Sequence, residues 1–139
     1  MSTENPEPIY HLTPESEFRA GLDAACYRPL RFDADGFVHC AATPGSVLAV
    51  AQDYFAEVSE RLLVLQIGSS ALTSPLVFEA AAPIAGGGVS HLAEAPSFPH
   101  IYGPVNLPAV TGIAVLARRD GVFQWPERFI PLDELLRSE

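Results

Sequence analysis

Two periodicities run through the apolar positions of this chain. Val47, Val50, Ala51, Tyr54, Phe55 and Val58 recur at i, i+3, i+4, i+7, i+8 and i+11, the spacing of one helical face. Thr43-Pro44 opens that run with a capping hydroxyl and a proline at the first helical position, so a helix is predicted from Pro44. The same cap-and-proline signal at Thr13-Pro14, followed by Glu15 and Glu17, predicts a shorter helix starting at Pro14. Strand-length apolar runs lie at Ile9–Leu12, Gly36–Ala41, Arg61–Ile67, Leu76–Ala80 and Val110–Leu116. The run through Leu62-Leu63-Val64-Leu65 barely alternates, as expected of a central strand covered on both faces. A last short helix is predicted over Asp133–Arg137.

Between these elements the punctuation is dense. Tyr27 to Gly36 reads as irregular and turn-rich, closing on an Asp35-Gly36 turn. Gly86-Gly87-Gly88 reads as a loop, because neither a Gly-x-Gly-x-x-Gly pattern nor an amphipathic helix accompanies it. Ser97 to Pro104 carries two prolines and a glycine and is predicted to be stiff and extended or turning. Helices concentrated in the first half, followed mainly by strands, predict a single α+β domain over residues 8–139 with two or three short helices, after a polar tail over residues 1–7.

Composition narrows the chemistry. At 139 residues and 48% hydrophobic, the chain is long enough for one core and too short for two domains. Seventeen acids against eight bases give a net charge of −9, which opposes binding to long nucleic acids or anionic lipid surfaces. All eight bases are arginine, so Schiff-base chemistry and the P-loop lysine are excluded. A basic segment leading into an apolar run is missing from the N-terminal stretch, and nothing approaches the roughly 20 apolar residues of a membrane helix. A cytosolic location is therefore expected. Cys26 and Cys40 have no metal or redox spacing and are expected to be free thiols.

His39 stands in an apolar strand shortly before the Thr43 helix start, where an imidazole could meet a ligand hydroxyl while Thr43 and the helix start receive a phosphate. The competing reading is a core histidine satisfied by a backbone carbonyl. Phe37 is expected on the same face as His39, with Val38 and Cys40 on the other. His100 and Tyr102, two apart in the stiff segment, would project together as a pocket wall; the alternative is a turn whose aromatics plug the core. Glu79 interrupts an apolar strand as a candidate acid or base, although a solvent-facing glutamate on an edge strand explains it more simply. The four histidines show neither His-x-x-x-His nor His-x-Glu spacing, and no metal is expected.

Three segments, Ile9-Tyr10-His11-Leu12, Asp35 to Ala41 and Phe98-Pro99-His100-Ile101-Tyr102-Gly103-Pro104-Val105, together resemble the DUF952 family of small bacterial proteins. Cys40-Ala41 departs from its pattern, where leucine and a small hydroxyl residue are common, and so does Asn106. The resemblance implies a fold related to ADP-ribosyltransferases, with a bent, mostly antiparallel split β-sheet. It implies NAD or an ADP-ribose-like nucleotide as ligand, His39 on the ribose, and His100, Tyr102, Gly103 and Glu79 completing the site. A ribosyl or phosphate transferase is the activity this implies. A non-catalytic ligand-sensing or protein-interaction domain is the rival, and the direction in which Glu79 points separates the two.

Overall fold

The computed structural model describes residues 8–79 and 98–137. The first half runs β1 (Ile9–Pro14), α1 (Glu15–Gly21), β2 (Cys26–Tyr27), α2 (Phe32–Asp35), β3 (Val38–His39), α3 (Pro44–Tyr54) and β4 (Leu62–Ile67). The second adds β5 (Leu76–Glu79), β6 (Phe98–Ile101), β7 (Val105–Asn106), β8 (Val110–Val115), β9 (Arg118–Arg119), β10 (Val122–Phe123) and α4 (Leu132–Arg137). The predicted 1–7 tail, the triple-glycine loop and His91 lie outside the described residues.

Strand β4 is the central strand that its apolar run predicts, lying antiparallel between β1 and β8. Its alternation feeds two cores. Leu63, Leu65 and Ile67 pack with Phe18, Tyr27, Ile101 and Ile113 on one face. Leu62 and Val64 pack with Val47, Ala51, Leu116 and Phe123 on the other. Helix α3 lies across β1 on this second side, with Val47 and Ala51 as its fully buried positions.

A second antiparallel sheet has the order β3-β6-β5. It joins the first through one bridge, in which Tyr10 and Ala41 exchange two backbone hydrogen bonds of 2.8 Å. The central strand β6 contains a proline, which costs a ladder donor. That cost is small here. The Pro99 carbonyl faces Cys40 N at 3.1 Å, just past the end of the two-residue β3, so the missing N–H falls where the ladder stops. All the strand pairs among the described residues are antiparallel, and the domain is α+β.

Three expectations change. Four helices are present among the described residues, not two or three, because a four-residue turn at Phe32–Asp35 hides inside the segment read as irregular. It closes on Gly36 at φ 84°, the left-handed position that the Asp-Gly pair signals. At the first helix, β1 extends through Pro14 and Thr13 is buried in it, so Thr13 does not cap. Glu60 supplies the cap from a distance, its carboxylate accepting from Ser16 N at 2.7 Å and Ser16 Oγ at 2.9 Å. The β9-β10 hairpin was not anticipated. Its signal is Asp120-Gly121, with φ of 53° and 80°, a two-residue turn of the twist that hairpins favour.

Candidate functional site

The register of the second sheet builds the site. His39 on β3 stands directly opposite His100 on β6, and the two rings meet edge to face with centroids 5.6 Å apart. Phe37, on the same side as His39 as alternation requires, stacks on His100 at 4.2 Å and flanks His39 at 4.7 Å. Val38 and Cys40 face the core instead.

Each imidazole is tethered to a carboxylate. His39 Nε2 donates to Asp35 Oδ2 at 3.0 Å, and His100 Nδ1 donates to Glu79 Oε1 at 2.7 Å. A carboxylate only accepts at neutral pH, so each bond fixes a tautomer and leaves the other ring nitrogen, Nδ1 of His39 and Nε2 of His100, as an acceptor. Neither has a hydrogen-bond partner among the described residues. Burial lowers the pKa of His39 below its ordinary 6.5, partly offset by the bond to Asp35. The ring is therefore neutral at pH 7.

Glu79 lies at the end of edge strand β5, as the simpler reading has it, but it is not idle. Its Oε1 also accepts from the Tyr102 hydroxyl at 2.7 Å. The Tyr102 and His100 donors hold its carboxyl below the usual glutamate range, and the same bond to Glu79 raises the Tyr102 phenol. Tyr102 is exposed, so it is not a core plug. The rest of that turn is pinned by Gly103, whose φ is 156°; a Cβ there would sit 2.3 Å from Ser74 Oγ, which itself donates to the Pro104 carbonyl at 2.7 Å. Gly103→Ala is expected to lower stability by about 1–3 kcal/mol through this overpacking, read as a shifted urea midpoint.

Behind the pair lies His11, fully buried, with Nδ1 donating to the His39 carbonyl at 2.8 Å and Nε2 accepting from the Tyr27 hydroxyl at 2.9 Å. The histidine satisfied by a backbone carbonyl is thus His11, and the carbonyl is that of His39. Burial drives the pKa of His11 down to about 4, so it stays neutral and holds β3 in place.

His39, His100 and His11 share a cleft with α3, α1 and the α2 turn, with a cavity volume of about 140 Å³. Its inner wall is apolar, with Leu12, Phe32, Val47 and Phe55 prominent. Among the described residues, Arg31, Asp35 and Glu17 are its charged residues. Thr43, Glu79, Tyr102 and Gly103 do not line it: Glu79 reaches it only through its bond to His100, and the Thr43 hydroxyl accepts from Ser46 N and caps α3. Sequence reasoning missed Asp35, Arg31 and His11 as parts of this place; the one available signal was an aspartate four positions before His39. The Cys40 thiol, buried beside the cleft, has its pKa pushed up and is inert as a nucleophile. Among the described residues no group of three His, Cys, Asp or Glu is placed to hold a metal ion, and no helix is long and apolar enough to cross a membrane.

A family model described as "Protein of unknown function (DUF952)" matches residues 12–113, a span that holds both histidines of the pair and both of their carboxylates. The chain belongs to the DUF952 family. Among solved structures it is similar to protein CC0527 from Caulobacter crescentus, at 28% identity and a TM-score of 0.64, over 84% of this chain and 93% of that one. A double mutant of CC0527 gives the same coverage and TM-score at 27% identity. No curated protein matches.

Proposed function

We propose that this DUF952 domain binds a ribose-bearing nucleotide in the cleft, NAD and ADP-ribose being the first candidates, and acts on it as a transferase of the ADP-ribosyltransferase-like kind. The observation that carries this reading is the opposed His39 and His100, each held by a carboxylate and each with a ring nitrogen left over. Nitrogens so placed suit ribose hydroxyls, and the apolar inner wall suits a base. The split between two antiparallel sheets is compatible with the implied ancestry.

In this reading His39 Nδ1 takes the proton of an acceptor hydroxyl as its oxygen bonds to the ribosyl C1. The C1–N bond breaks with its electron pair leaving on the base, which for NAD departs neutral. Glu79, ionised and fixed by two donors, acts through His100: by holding Nδ1 it orients the ring so that Nε2 is presented to the sugar, and its charge would steady positive charge developing there. That contact favours catalysis over a sensing pocket, which would need no oriented carboxylate beside an imidazole.

The test is release of nicotinamide from NAD by the purified protein, with and without Glu79→Gln. The expected result is slow release by the parent and loss of it in the variant, with ligand affinity retained. Release unchanged by Glu79→Gln, or no release at all with NAD bound, contradicts the transferase reading.

A further inference from the structure

The charges that could meet a phosphate can be counted completely. The chain has eight arginines and no lysine, and all eight arginines lie among the described residues. Arg31 is the one that lines the cleft, and Arg28, Arg119 and Arg128 are not among its lining residues. Arg19 and Arg61 bind Glu15, Arg137 binds Asp133, and Arg118 donates to the carbonyls of Ala56 and Val58.

Arg31 is itself shared, with its guanidinium 3.6 Å from Asp35. Asp35 and Glu17 both line the same cleft, so its fixed charges sum to net negative before any ligand arrives. Among the described residues, the starts of α1 and α3 do not make up the deficit. The first residue of α3 on the cleft wall is Val47, past the unpaired N–H groups of its first turn. The start of α1 is already occupied by the Glu60 carboxylate.

A pyrophosphate needs partners for two phosphate groups where a single, half-committed cation stands, and a desolvated anion without a partner is costly. From this count we infer that the cleft receives a single nucleoside unit bearing no more than one phosphate group, further phosphates staying outside in water. This rests on the nucleotide reading above and narrows it: a nucleoside, a nucleoside monoester, or the nucleoside end of a larger nucleotide is what the cleft recognises. Arg31 is the specificity element that tells a monophosphate from a bare nucleoside, and the pair of imidazoles with the apolar wall supplies the remainder of the recognition.

Calorimetric titration of the full chain with adenosine, AMP, ADP and ADP-ribose, at low and at high salt, tests the inference. Adenosine and AMP are expected to bind within about a factor of ten of one another, a span one exposed ion pair can cover. ADP and ADP-ribose are expected to bind no tighter than AMP. Added salt should leave adenosine unchanged and should not weaken the diphosphates, because it screens their repulsion from a protein of net charge −9. Arg31→Gln should remove the difference between AMP and adenosine, and a difference that survives the substitution would overturn Arg31's part in the inference.

Affinity that climbs about tenfold with each added phosphate, and falls with salt, would overturn the inference while leaving the nucleotide reading in place. Absence of binding by all four ligands would instead remove the nucleotide reading, and this inference with it.

Discussion

Lowering the pH from 7 to 4 is expected to take about 3 kcal/mol from the stability of this domain through His11 alone, at about 1.4 kcal/mol per pKa unit. The sign follows from where the proton goes. An unfolded chain protonates His11 near 6.5, whereas the folded protein resists until about 4, because the ring is buried. Between those two values the unfolded state binds more protons and stability falls as pH falls. His39, also shifted downward, acts in the same direction. Glu15 and Glu79 are held below their ordinary values by Arg61 and Tyr102 respectively, and their losses begin only below about 4.5, the usual carboxylate range. Urea denaturation at several pH values measures this. His11→Gln should be less stable than the parent at pH 7, since its amide cannot reproduce both bonds, yet its stability should change much less between pH 6.5 and pH 4. A parent protein whose stability is flat across that interval contradicts the assignment of His11 as a neutral, buried prop.

The second large effect falls on the ligand. His100→Ala removes the imidazole on which Phe37 stacks and to which Glu79 is bound. If His100 Nε2 meets a ribose hydroxyl, affinity for adenosine should fall by about tenfold to a hundredfold, the worth of one hydrogen bond plus the ordering of its neighbours. Tyr102→Phe is the useful contrast. It removes one donor from Glu79 while leaving the cleft wall intact, so binding should persist and the loss should appear in turnover. Equal losses of affinity in both variants would mean that the wall is structural and that the imidazole has no special part in recognition.

Much of this arrangement is legible in the sequence, and the part that is not has physical causes. The α3 cap at Thr43, the doubly covered β4 and the facing of Phe37 with His39 all follow from local patterns, since period and capping chemistry need no tertiary partner. The pairing of His39 with His100 does not follow from any local pattern. It arises because an antiparallel register sets them opposite each other 61 positions apart, and one residue of slip would have separated them. Glu79 looked like an ordinary edge glutamate for the same reason: its partners, His100 and Tyr102, come from a neighbouring strand and the turn after it. Asp35 was read as half of a turn signal, correctly, and its second task as the tether of His39 emerges only once α2 has folded. Thr13 shows the opposite failure. Its sequence signal for a cap is good, but pairing with Leu63 in β1 claims the residue first, and Glu60 replaces it. Tertiary pairing overrode local propensity there.

In the proposed function His39 and His100, in opposite tautomers and facing one cleft, form the working site. Long-range nitrogen–proton NMR spectra of the imidazoles, recorded during a titration with adenosine or AMP, test it most directly. At pH 7 His39 should carry its proton on Nε2, His100 on Nδ1 and His11 on Nδ1. Saturable shifts should then move His39 Nδ1 and His100 Nε2 together, with smaller shifts at His11, whose nitrogens are both already bonded. A titration in which His39 and His100 share one tautomer, or in which saturating ligand moves neither, would contradict the account.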